Sequence, residues 1–257
     1  MLRTVPDTVS YVMPITSDAV AADGEAPTVD GRTARWAGHR ATRRAELVRA
    51  ARRAVHDLGP DVSMDDIAGH MGTSKPILYR YFTDKTGLQV AVGQAVLGRM
   101  RAAIEDAAAA ARGPRARIAA MVRVYLEMVD ASPHVYAFVT RPEATAREVR
   151  GFAGDVADLV VDALLPALTG DLDDGAAPAR AEVDPDTLVA ARLWAAGVVG
   201  LVRGAVDVWL GDRVDTADPA APATDLDREA LADHLTNWLW DGAVGVLRRA
   251  RNATTGA

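Results

Sequence analysis

Ser63-Met64-Asp65-Asp66-Ile67-Ala68-Gly69-His70-Met71-Gly72-Thr73-Ser74-Lys75-Pro76-Ile77-Leu78-Tyr79-Arg80-Tyr81-Phe82 is the stretch that decides how this chain is read. A hydroxyl at Ser63 with a carboxylate three residues on, at Asp66, is a capping-box start. Ile67, Ala68 and Met71 then supply the buried stripe of a helix of about two turns. Gly72-Thr73 breaks it. Ser74 is placed to cap a second helix, and Pro76 falls in its first turn, where a missing N–H costs little. Leu78 and Phe82, four apart, make the inward face of that second helix, which leaves Lys75, Tyr79, Arg80 and Tyr81 pointing outward. Two short helices joined through a glycine, the second carrying cationic and phenolic groups, have the form of a helix-turn-helix whose second helix enters a major groove.

The flanking sequence extends this reading. Upstream, Leu47, Ala51, Ala54, Val55 and Leu58 recur as one stripe of a helix that begins near Thr42 and ends at Gly59-Pro60, with arginines on its other faces. Residues 1–38 hold Pro, Gly and acids without any period and read as a disordered leader. Downstream, a long helix runs from Gly87 through Val92, Met100 and Ile104 to Gly113-Pro114, and further helices are predicted at about 115–130, 133–141, 147–168, 185–211 and 226–250. No strand alternation of any length occurs, so the predicted class is all-α. The expected division is a leader (1–38), a three-helix reading domain (39–86) and a helical ligand-binding and dimerisation domain (87–257).

Charge separates the same parts. The 257 residues carry 29 basic and 35 acidic side chains, a net charge of −6 that by itself argues against a polyanionic partner. Yet residues 32–101 hold seven more basic than acidic groups, while both flanks are acidic. A polyanion can dock on that segment alone. The absence of cysteine removes disulfides, thiolate metal sites and catalytic thiols, and fits a reducing, cytoplasmic setting. Five acids against Arg3 in the first thirty residues, with no apolar run, argue against a secretory signal. The longest uncharged apolar stretch, Leu193 to Val202, is about half of what a bilayer requires, so no membrane partner is expected. Enzyme chemistry finds no support: there is no phosphate loop, nucleophile elbow or His-Glu-x-x-His, and His39, His56, His70, His134 and His234 lack metal-ligand spacing. Asp171, Asp173 and Glu182 match three positions of a calcium loop, but Gly175 and Ala176 stand where a ligand and the turn glycine belong, so an acidic linker is the reading. Neither a cofactor nor a metal is expected.

Ile67-Ala68, Gly72-Thr73-Ser74, Leu78-Tyr79-Arg80-Tyr81-Phe82, Asp84-Lys85 and Leu88 resemble, in order and spacing, the DNA-binding signature of the tetracycline-repressor-like (TetR) family of bacterial regulators, over residues 42 to 92. Thr73 departs from it, standing where an aliphatic residue is common. The resemblance implies that Lys75, Pro76, Ile77 and Arg80 face base edges and that Tyr79, Tyr81 and Lys85 hold phosphates. Arg80 has the chemistry for a bidentate guanine contact. Ser63 and Ser74 at the two helix starts, and Arg43 and Arg44 upstream, are counted with the DNA-facing residues, and Arg32, Arg35 and Arg40 extend that basic run toward the backbone or a minor groove.

For the acidic half the resemblance implies a small apolar or amphipathic effector and a dimer. Met121, Tyr125, Met128, Tyr136, Phe138, Phe152, Leu159 and Trp194 are the candidates to line its cavity. Arg123, Arg141 and Arg203 are the candidates to meet an anionic effector such as an acyl thioester. Gly197, Gly200 and Gly204 in one apolar helix ask for close approach of another helix. With the amphipathic stretch Leu231, Leu235, Trp238, Leu239, Val246 and Leu247, they look like the pair that forms a dimeric four-helix bundle in that family. The expectation is therefore a homodimeric regulator, a repressor, that binds an inverted-repeat operator in double-stranded DNA and is released by a small molecule. A protein-docking module with a repurposed helix-turn-helix, or a helical enzyme acting on an acyl substrate, are the alternatives.

Overall fold

A computed structural model describes residues 31–168, 183–214 and 226–255, in which the elements are all helices. In chain order they are α1 (Gly31–Leu58), α2 (Met64–His70), α3 (Lys75–Tyr81), α4 (Lys85–Ala110), α5 (Pro114–Asp130), α6 (Pro133–Thr140), α7 (Pro142–Leu168), α8 (Pro185–Val214) and α9 (Arg228–Thr255). The all-α class holds for the described residues. The acidic stretch weighed as a calcium loop falls in 169–182, outside them. Residues up to Ala41 form one unit and Thr42 to Ala257 a second.

α1 starts at Gly31, well before the apolar stripe that locates it in the sequence. Its first turns, rich in Ala and Arg, have high helix propensity but no apolar stripe, so a periodicity search finds the helix only where it begins to pack. The expected disordered leader thus overlaps a helix at residues 31–38. Leu47, Val48, Ala51, Ala54 and Val55 are buried as the stripe requires, whereas Leu58, at the last turn, is 51% exposed. The chain turns away at Gly59 before that position meets a partner.

α2 begins as the sequence requires. The Ser63 hydroxyl donates to Asp66 Oδ2 at 2.6 Å, and the Asp66 N–H donates back to the Ser63 oxygen at 3.1 Å. The hydroxyl bond, joined by one from the Ser63 N–H to the same carboxylate oxygen at 3.0 Å, holds the Asp66 carboxyl below its usual range. Ser74 makes no side-chain cap on α3; Pro76 in the first turn lowers the number of N–H groups that need one. Gly72 takes a positive φ of +62° to fold α2 back onto α3. That backbone is strained for any residue with a Cβ, by about 1–2 kcal/mol. Gly72→Ala is accordingly expected to lower stability by about that amount in a urea melt, with DNA affinity falling in parallel.

Two apolar clusters organise Thr42 onward. Leu47, Ala51, Val55, Ile67, Leu78, Phe82, Leu88 and Val92 gather α1 to α4, and Val135, Phe138 and Val139 of α6 join them. Met100, Ile104, Ile118, Leu126, Leu164, Ala195, Val206, Trp209 and Leu235 gather α4, α5, α7, α8 and α9. α4 contributes to both. It crosses α7 closely at Gly93, where a Cβ would lie 3.1 Å from the Thr145 methyl. Nearby, the Gln89 amide is buried and donates to the Phe138 carbonyl at 2.7 Å, satisfying a polar group that would otherwise be costly there.

Across Pro185–Gly211, α8 reaches a mean hydropathy of 1.5, long and apolar enough by composition to cross a membrane; counting uncharged runs understated it. One side of the helix is accounted for without lipid, since Ala191, Ala195, Val198, Val202, Val206 and Trp209 are buried in the second cluster.

Candidate functional site

α3 is held from beneath and open above. Leu78 is fully buried and Phe82, its C-cap, is 2% exposed, so the helix is fixed to α1 and α2 by its inner side. On the outer side Ser74, Lys75, Pro76, Ile77, Tyr79 and Arg80 are exposed. Ile77 and Tyr79 are conspicuous there, 39% and 44% exposed, because apolar and aromatic groups on a seven-residue helix would otherwise be expected to pack. Tyr81 differs from its expected outward placement: it is half-buried and lies against the first cluster. Lys75 donates to Asp65 on α2 at 2.6 Å, and that hydrogen bond raises its pKa. Both partners are exposed, so exchanging the carboxylate for a base edge costs little.

Two cations, Arg44 and Lys85, lie beside these short helices. The Arg44 guanidinium lies over the Phe82 ring at 5.2 Å from its centre, a cation–π contact that orients it beside α3. Arg43 pairs with Glu46 at 2.8 Å. Lys85, half-buried at the start of α4, lies close enough to Asp66 to favour that carboxylate. Ser63 is committed to its capping box. Arg40 is exposed, and the side chains of Arg32 and Arg35 lie outside the described residues.

A cavity with about 1150 Å³ of empty space, its openings included, lies among α4, α5, α6, α7 and α8. Of the candidates named from the sequence, Met121, Tyr125, Met128, Tyr136 and Phe152 line it. Phe138, Leu159 and Trp194 do not. Phe138 is buried in the first cluster, Leu159 packs against the second, and the Trp194 ring lies beside Gly242 of α9. Valines at 96, 122, 129, 135, 139, 149, 156, 160, 198, 199 and 202 make up much of the rest. Helical periodicity marks them as buried but cannot tell a wall from a filled core.

The polar groups on this wall are few and connected. The Tyr125 hydroxyl donates to that of Tyr136 at 3.3 Å, and Tyr136 donates to Asp207 Oδ1 at 2.7 Å. Burial raises both phenols, Tyr125 to about 12, so each stays a neutral donor. Arg203 lies 3.7 Å from Asp207. Of the three arginines expected to meet an anion, Arg203 alone borders the cavity; Arg123 pairs with Asp233 at 3.3 Å and Arg141 with Asp61 at 2.6 Å. Sequence reading overlooked Arg52 and Arg99, which do border it.

A polar seam connects the end of α1 to α6. The Ser132 hydroxyl lies 3.2 Å from His56 Nδ1, and His134 Nδ1 lies 3.0 Å from the His56 carbonyl oxygen. With Arg141–Asp61, these contacts tie the helices carrying α3 to a wall of the cavity.

Comparison with known proteins gives two family matches. "Bacterial regulatory proteins, tetR family" covers residues 47–92, and "Tetracyclin repressor-like, C-terminal domain" covers residues 99–256. A helix-turn-helix transcriptional regulator of Mycobacterium tuberculosis is 30% identical over 223 residues, 85% of this chain and 84% of its own. The transcriptional activator FasR of Mycolicibacterium smegmatis is 28% identical over 190 residues, 71% of this chain and 79% of its own. Among solved structures, FadR of Bacillus subtilis, in complex with stearoyl-CoA, superimposes with a TM-score of 0.54 at 14% identity, covering 76% of this chain and 96% of that one.

Proposed function

From the premise that this chain belongs to the tetR family of bacterial regulatory proteins, DNA-binding regulators of transcription, we propose that it is a cytoplasmic, homodimeric repressor released from its operator by an apolar or amphipathic effector. The observation that carries the reading is the outer side of α3, where Lys75, Ile77, Tyr79 and Arg80 stand exposed on a helix pinned by Leu78 and Phe82. A rigid helix with such a face reads base edges through Arg80 and Lys75 and takes phosphates through Tyr79, Tyr81 and Lys85. Two copies, about 34–36 Å apart, fit successive major grooves of an inverted repeat.

The second copy is supported by α8 and α9. Val189, Leu193, Leu201 and Val208 of α8 and Trp238 of α9 are exposed apolar groups. At Gly197, Gly200 and Gly204 a Cβ would meet nothing within 4 Å. Among the described residues no close helix explains these glycines, whereas a symmetry-related helix would. The side chains of Val246 and Leu247 lie outside the described residues.

Effector binding is supported by the cavity: valines, methionines and aromatics surround a short chain of phenols, the composition of a site for a mainly apolar molecule. FadR, with the same fold and a bound acyl thioester, makes an acyl effector reasonable. The route to DNA is the seam at His56, Ser132 and His134, since a shift of α6 that accommodates ligand moves the end of α1. Coupling of about 1–3 kcal/mol is typical of such switches and sufficient here.

Binding to duplex DNA across a salt series tests the interface. Tyr79→Phe with Lys85→Ala should weaken affinity for all sequences and flatten the dependence on salt, because both remove phosphate contacts. Arg80→Ala should instead relax preference at one base pair, by about 1–3 kcal/mol. Unchanged affinity in both variants would mean that α3 is not the reading helix. For the sense of regulation, transcription from the operator should rise when effector is added; a fall would make the protein an activator.

A further inference from the structure

Three arginines border the cavity, and they differ in how their charge is answered. Arg203 has Asp207 beside it at 3.7 Å, and that carboxylate also accepts from Tyr136. Arg52 of α1 and Arg99 of α4 have no carboxylate within ion-pair distance among the described residues. Each is instead the other's unfavourable neighbour: burial lowers the Arg52 pKa, and the charges of Arg99 and then Arg53 lower it further. Arg99 is exposed and Arg52 half-buried, so this is a rim where the apolar interior meets water. Beside them the wall is Val96, Leu97, Met100 and Val135. Two cations without a carboxylate partner among the described residues, on the edge of one valine- and methionine-lined space, are complementary to one kind of molecule, a single apolar tail carrying an anionic head.

We propose that Arg52 and Arg99 form the head-group site of this cavity and that the effector is an anionic amphiphile, its carboxylate or phosphate bridging the two guanidinium groups with its tail among the valines. This rests on the cavity being the effector site. It adds both a charge requirement and a route of regulation. Arg52 shares α1 with Leu47, Val48, Ala51 and Val55, the residues against which α2 and α3 pack. An anion that replaces Arg52–Arg99 repulsion by a shared bridge therefore draws α1 toward α4 at the level of the cavity, and α1 passes the change to the reading helix.

Equilibrium dialysis of the full-length protein, freed of carried lipid, with decanoate, decyl phosphate and decan-1-ol tests this, each probe kept below its micellar concentration. At least one anion should bind about tenfold or more tightly than the alcohol, and the two anions distinguish a carboxylate from a phosphate head. Arg52→Gln and Arg99→Gln should each bring the anion close to the alcohol's affinity while leaving the alcohol unchanged, and Arg99→Lys should retain part of the preference. Both glutamine variants should melt no lower than the parent, since each removes a repulsion, so weakened binding would not reflect unfolding. Equal binding of all three probes, or an undiminished anion preference in the double glutamine variant, would overturn the head-group site and leave the cavity reading standing. Binding of none of the three would overturn both.

Discussion

Leu78→Ala is expected to remove about 2–5 kcal/mol of stability and with it most of the operator affinity, although Leu78 touches no DNA in the proposed complex. The reason lies in the size of α3. Seven residues form too short a helix to persist in water by their own hydrogen bonds, and Leu78 is the fully buried member of the helix. Truncating it leaves a void among Ile67, Phe82 and Val55 and releases the outer side from its fixed orientation. Arg80→Ala is the informative contrast. Its side chain is exposed, so stability should change by no more than about 0.5 kcal/mol while base preference is lost. Urea melts and operator titrations on the two variants separate a helix that must be positioned from a side chain that must be present. A Leu78→Ala protein that melts with the parent and binds with parental affinity would show that the inner side of α3 is not its anchor.

The same distinction explains what was legible in the sequence. The capping box, the turn at Gly72 and the pair Leu78 and Phe82 are local devices, written within a few residues of one another, and all three recur in the structure. The spacing predicts Tyr81 outward because it identifies a buried stripe but not its width; the ring lies on the stripe's edge. Phe138, Leu159 and Trp194 read as cavity wall by sequence because chemical type does not show which neighbours a helix face meets. Phe138 went to the first cluster since α6, though well downstream, packs against α4 and the helices before it. By sequence alone Arg52 reads as one more solvated arginine of α1. A signal was present: it falls four residues after Val48 and three before Val55, both buried, so it interrupts an apolar face rather than decorating a polar one. Arg99 carried no such mark and became visible only when α1 and α4 were seen to meet one opening.

Leu193→Glu should convert the proposed dimer to monomers and lower affinity for the proposed full inverted repeat by about 10²–10⁴-fold, the advantage that linking two half-site contacts provides. Leu193 is 71% exposed, so within one chain the substitution costs little, and the melting of the isolated protomer should be almost unchanged. Across a twofold axis it acts twice, because each interface residue is presented by both copies, and it brings two carboxylates into a surface otherwise made of Val189, Leu201, Val208 and Trp238. Gly200→Leu tests the same face by volume rather than charge. A Cβ at Gly200 meets nothing within 4 Å among the described residues, so a branched side chain there should obstruct a helix arriving from outside. Sedimentation of both variants, paired with titration of a half-site and of the full operator, gives the diagnostic pattern: half-site affinity retained, full-site affinity collapsed to it. Variants that stay dimeric and bind the full operator as the parent does would place the interface elsewhere and leave the open glycines of α8 without a partner.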